Sequence, residues 1–193
     1  MKTYDLAVLT KRVVDAPWPF YSSNQLQALL GIRQESSLFK VVQRLVKAGV
    51  LDRVERGKYI RADYSGSPFK LANFLYQPSY VSFESALSFH GILSQFPAEI
   101  TSVTTGLGKQ KKFSGRVYGY YRIQPRLYWG YFKQEGYLIA EPEKAVLDQA
   151  YLAAKGLKPL PLEEYDMTKI DMPKLKNYAR QFGDNVGRYF SKF

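Results

Sequence analysis

The sequence predicts an α+β chain in which a small helical unit closed by a β-hairpin precedes a larger mixed α/β domain. Three observations carry this expectation. Residues 4–48 hold three segments with apolar residues at helical spacing, separated by breakers. Residues 50–61 read as strand, glycine turn, strand. Beyond the turn-rich stretch 62–68, segments dense in β-branched and aromatic residues are bracketed by helical ones.

Leu6, Leu9, Val13 and Val14 share one face of a first helix, residues 4–14, which Pro17 and Pro19 of "DAPWPF" end. In "SSNQLQALLGI", Ser22 or Ser23 caps a second helix, Leu26, Leu29 and Leu30 form its stripe, and Gly31 stops it. A third helix follows in "ESSLFKVVQRLVKAG". At about 100° per residue, Ser36, Lys40, Gln43, Arg44 and Lys47 fall in one narrow arc, with three cations and no acid. Leu38, Phe39, Val41, Val42, Leu45, Val46 and Ala48 fill the remainder as the expected buried face. A helix face that is merely solvated usually mixes Glu with Lys to gain paired contacts, so the arc points to an anionic partner. Val50, Leu51 and Val54 then lead to a turn at Gly57, and Tyr59 and Ile60 form the returning strand. This hairpin carries Arg53, Arg56, Lys58 and Arg61.

Three helices and a basic hairpin in this order describe a winged helix-turn-helix over residues 1–64. In that geometry the third helix enters the major groove. Ser36, Ser37, Lys40, Gln43, Arg44 and Lys47 are the expected contacts there, and the hairpin meets the backbone or minor groove. The overall balance agrees: 28 Lys and Arg against 17 Asp and Glu give +11, which suits a nucleic-acid partner.

Residues 65–193 are the expected mixed α/β domain. Ser82 caps a helix in "YVSFESALSFHGI", with Glu84 in its first turn and His90 at its end before an αL cap at Gly91. With no cysteine nucleophile and no second histidine, His90 is a helix-end residue rather than a catalyst. "EITSVTTG", "KFSGRVYGYYRI", "RLYWGYF" and "GYLIAE" read as strands. Their aromatics are expected to cover a sheet; the alternative is an exposed stacking platform for nucleic acid. No acid lies between Glu99 and Glu135, where seven cations do. Four of these, Lys109, Lys111, Lys112 and Arg116, are possible DNA or protein contacts. Glu141 and Pro142 start a helix in "AEPEKAVLDQAYLAAKG", with Ala145, Leu147, Ala150 and Tyr151 toward the sheet. Asp171 and Pro173 start the last long one, with Leu175, Tyr178, Ala179 and Phe182 as its stripe.

A metal-dependent nuclease of the acid…Glu-x-Lys kind needs Glu and Lys two apart on a strand. Here Glu143 and Lys144 are adjacent and Pro142 stands where the spacing would need Glu. No catalytic residue, metal or cofactor is therefore expected. With no cysteines and one histidine, disulfides and Cys/His zinc sites are excluded. The apolar runs fall far short of the roughly 18 residues of a membrane span. The first residues lack a signal-peptide pattern, so the expected location is the cytoplasm.

Taken together, "AGVLDRVERGKYI", "YVSFESALSFHGI", the basic β-region and "GYLIAEPEKAVLD" resemble the AbiEi antitoxins of type IV toxin–antitoxin systems, over about residues 22–182. "SFESALSFHG" and "AEPEKAVLD" are the most specific pieces. The resemblance implies a bacterial repressor of its own operon that binds promoter repeats in double-stranded operator DNA through the winged helix. It also implies a C-terminal domain that counters a nucleotidyltransferase-like toxin and is not an active nuclease. Two alternatives stay open: a winged-helix regulator unrelated to a toxin, and a nuclease with a winged-helix targeting module.

Overall fold

A computed structural model describes residues 5–191 of the chain. It divides into two compact units, residues 1–67 and 68–193, so the boundary falls between Ser67 and Pro68 in the turn-rich stretch.

The first unit begins with α1 (Leu6–Val14), whose N-cap Asp5 accepts a hydrogen bond from the Ala7 N–H at 2.9 Å. Tyr4, expected in this helix, lies outside the described residues. Leu9 and Val13 face the core while Val14 is exposed. A short strand that the sequence pattern did not announce, β1 (Phe20–Ser22), comes next and leads directly into α2 (Ser23–Leu30). Ser22 caps α2 reciprocally: its hydroxyl accepts from the Gln25 N–H, and Gln25 Oε1 accepts from the Ser22 N–H at 2.7 Å. Gly31 closes the helix at φ 68°, and the Arg12 guanidinium donates to the Leu30 carbonyl at 2.9 Å. After α3 (Glu35–Lys47), β2 (Leu51–Glu55) and β3 (Lys58–Arg61) form the hairpin. β3 is the centre of an antiparallel three-stranded sheet, β1-β3-β2. Val13, Tyr21, Leu26, Leu30, Leu38, Val41, Val42, Leu45 and Leu51 make one core. Each fully buried aliphatic there stabilises by about 1.5–3 kcal/mol.

The second unit runs α4 (Pro68–Leu75), β4 (Ser79–Val81), α5 (Phe83–Phe89), β5 (Glu99–Thr104), β6 (Lys109–Phe113), β7 (Arg116–Arg122), β8 (Tyr131–Gln134), β9 (Tyr137–Ala140), α6 (Pro142–Ala153), α7 (Met172–Phe182) and the short α8 (Asp184–Gly187). The six strands form one mixed sheet in the order β6-β7-β5-β4-β9-β8. β7–β5 and β4–β9 are parallel pairs and the other neighbours are antiparallel. α5 and α6 pack on each other and α7 packs on α6. The unit is thus mixed α/β within an α+β chain. No helix among the described residues is long and apolar enough to cross a membrane.

Two details depart from the sequence pattern. "RLYWG" is not a strand: Pro125–Leu127 form a 3-10 turn and the extended chain resumes at Tyr131. Ser82 sits at the N-cap of α5 without a capping bond, because its hydroxyl donates instead to Asp148 at 2.8 Å.

Candidate nucleic-acid interface

The outward face of α3 carries Ser36, Lys40, Gln43, Arg44 and Lys47, all exposed, opposite the buried Leu38, Val41, Val42 and Leu45. Ser37 is half-buried and its hydroxyl donates to Gln34 Oε1 at 3.4 Å, a long bond that holds it at the helix start. Phe39, expected in the core, is 54% exposed, and Ala48 is exposed at the C-cap. The physical reason for Phe39 lies in its position on the shoulder of the projection, one turn before Gln43. The core contacts of α3 are satisfied by the narrower Leu38–Val41–Val42–Leu45 stripe. The polar arc is therefore bordered by an aromatic ring open to solvent.

The hairpin cations divide into two kinds. Arg53 and Arg56 are exposed, Arg53 on β2 and Arg56 beside the turn glycine, Gly57 at φ 77°. Lys58 is paired with Glu55 at 2.9 Å across the turn. Arg61 contacts Asp63 at 2.6 Å and donates to the Val14 carbonyl at 3.0 Å, which ties the end of β3 to the end of α1. Lys58 and Arg61 thus have structural partners within their own unit, whereas Arg53 and Arg56 project.

Lys109, Lys111, Lys112 and Arg116 occupy the sheet-edge hairpin β6–β7, whose turn is Ser114–Gly115 with both φ positive. They do not form one patch. Lys111 is half-buried and donates to the Leu75 carbonyl at 2.7 Å, closing the C-terminus of α4. Lys109 lies over the Tyr76 ring at 4.5 Å. Lys112 and Arg116 are exposed. The acid-free stretch also gains an acid in space. Glu99 on β5 accepts from Gln110 of β6 at 2.8 Å and from the Tyr121 hydroxyl at 2.7 Å.

The aromatics of β7 behave as sheet residues. Tyr118 and Tyr120 are buried, and the Tyr120 hydroxyl donates to the Ala72 carbonyl at 2.6 Å. His90 is similarly satisfied, its Nε2 lying 2.8 Å from the Ala140 carbonyl.

The apolar residues of α6 are buried as expected, but its polar residues are buried with them, which the sequence pattern did not announce. Glu143, Lys144, Asp148 and Gln149 are all buried. Lys144 bonds Asp148 and the Tyr80 hydroxyl, the latter at 2.7 Å, and Asp148 also accepts from Tyr80 at 3.0 Å and from Ser82. Glu143 Oε2 forms an ion pair with Lys174 Nζ at 2.9 Å. One Asp, one Lys and two hydroxyls close on each other, which makes a structural network. Among the described residues no group of three or more His, Asp or Glu side chains is placed to hold a metal ion. No protein-family model matches the chain, and no curated protein matches it.

Proposed function

We propose that the chain is a double-stranded-DNA-binding transcriptional regulator whose first unit acts as a winged helix-turn-helix. What supports this most is the face of α3, where Ser36, Lys40, Gln43, Arg44 and Lys47 stand exposed together without an acid among them. In this reading α3 lies in the major groove and Arg53 and Arg56 meet phosphates beside it. The resemblance to AbiEi antitoxins extends the proposal: the regulator represses its own operon, and the second unit counters a nucleotidyltransferase-like toxin encoded beside it.

Two measurements test these halves separately. The full chain should retard promoter DNA upstream of its own coding sequence in preference to random duplex, and K40A/R44A should abolish that preference. Co-expression with the adjacent gene should rescue growth. Equal binding to promoter and random DNA overturns the regulator reading, and an adjacent gene without effect on growth overturns the antitoxin reading.

A further inference from the structure

Within the sheet of the second unit, the ladder between β4 and β9 is short. β4 runs parallel to β9, but only Val81 pairs, with Ile139. Two residues upstream, Ser79 and Tyr137 do not pair, so the ladder between these strands ends there. The Leu138 N–H, which would continue that ladder, is taken instead by Asn73 Oδ1 from α4 at 2.5 Å. The Asn73 side chain thereby leaves its Nδ2 buried without a hydrogen-bond partner.

A cavity of about 640 Å³ opens where the ladder ends, lined by Asn73, Gln77, Ser79, Tyr128, Tyr131 and Lys133 among others. That volume lies in the range of small-molecule sites, roughly 300–1,000 Å³. Its aromatic wall is braced from behind. Tyr131 stacks on the buried Tyr80 at 4.7 Å between ring centroids, and Tyr128 packs against both at 5.1 and 5.2 Å. Both Tyr128 and Tyr131 are half-buried residues that line the cavity. Lys133 and Gln77 are exposed at the cavity. Lys70 is close by, its Cε 3.7 Å from where a side chain on the lining Gly136 would begin. No carboxylate lines the cavity; Glu135 lies in the β8–β9 turn outside the lining.

We propose that this cavity is a binding site for a nucleoside phosphate. The tyrosine wall stacks a planar base, as aromatic platforms do for any base. The exposed Gln77 amide supplies hydrogen bonds to its edge. Lys133 and Lys70 neutralise the phosphate. The lack of a carboxylate disfavours a cationic guest, although tyrosines alone could stack one. This site is independent of the DNA-binding reading, because every residue in it belongs to the second unit.

The test uses the full chain and amide NMR titration with adenosine 5′-monophosphate, adenosine, ribose 5-phosphate and inorganic phosphate. The nucleotide should shift amides of residues 77–81 and 131–138 saturably, adenosine should bind there more weakly, and the two phosphates without a base should not. K133E should weaken the nucleotide about tenfold or more and leave adenosine unchanged. Y131L should weaken both; its melting curve shows whether it is folded, and K133E, a surface change, carries the test if it is not. A trinucleotide single strand shifting the same amides would identify a strand end rather than a free nucleotide as the source of the ligand. Absence of shifts at millimolar nucleotide overturns the proposal. So do equal shifts with inorganic phosphate, shifts confined to other residues, or an unchanged affinity in K133E.

Discussion

Lys144 and Asp148, one helical turn apart on α6, form an ion pair with no solvent exposure on either side chain. Burial pushes the lysine pKa down and the aspartate pKa up, so desolvation works against both charges. Their mutual attraction and the Tyr80 and Ser82 hydroxyls oppose it. The ammonium is also enclosed by rings, with the centroids of Tyr80, Trp129 and Phe182 at 5.2, 5.4 and 5.2 Å. Gly130, at φ 71°, passes so close that a β-carbon would meet the lysine Cγ at 2.9 Å.

Such a pair is costly to break and cheap to replace whole. K144M should destabilise the second unit by about 3–5 kcal/mol, because Asp148 is left buried with its charge. K144M/D148L should recover most of that loss. Denaturant unfolding of both variants checks it; a double variant no better than K144M would mean that the network, not the charge, holds the helix.

His90 is the single histidine of the chain, so its titration can be read alone. Burial lowers its pKa below the ordinary 6.5, while its bond to the Ala140 carbonyl and the nearby Glu143 pull it partly back. In the window below 6.5 the unfolded chain binds a proton that the folded one does not. Stability should then be full above pH 6.5 and fall as the pH drops through that window. H90Q should flatten the slope there, and the histidine ring protons should titrate with a midpoint below 6.5. A midpoint at or above that value would contradict the burial argument.

The helices were legible wherever a cap or breaker coincided with an apolar stripe. Ser22, Gly31, Gly91 and Asp171 all sit at the expected helix ends. What the pattern could not show is burial that violates polarity. Glu143, Lys144, Asp148 and Gln149 are residue types that ordinarily stay solvated, and they become core because Tyr80, Ser82, Glu84 and Lys174 arrive from distant segments to satisfy them. Phe39 is the converse, an apolar residue that the narrow stripe of α3 leaves outside. The segments β1 and α4 lacked alternation or caps that would mark them. The acid-free appearance of residues 100–134 dissolves in three dimensions, since Glu99 on β5 reaches β6 and β7.

If α3 reads bases and the hairpin positions the duplex, substitutions should differ in kind. K40A and R44A should each cost about 1–3 kcal/mol on the operator and little on random DNA. R56A should weaken both DNAs alike. K58A should do least, because Lys58 is already held by Glu55. Fluorescence anisotropy on operator and random duplexes decides it, and equal losses on both DNAs for K40A and R44A would reverse the roles assigned to helix and hairpin.

The edge hairpin β6–β7 gives the last prediction. Exposed cations on one sheet edge repel each other, and an anionic partner would offset that repulsion. Lys111 is excluded from that role by its bond to the Leu75 carbonyl, and K111A should show itself as a stability loss of about 1 kcal/mol. Lys109, Lys112 and Arg116 remain exposed. If they meet DNA phosphates, each contributes about 0.9 to the negative slope of log affinity against log salt. K109A/K112A/R116A should therefore flatten the slope by about 2–3 units while leaving the preference for operator over random duplex intact. The same variant should still rescue growth beside the toxin gene. An unchanged salt slope with lost rescue would assign this edge to a protein partner, whose acidic face the three cations then meet.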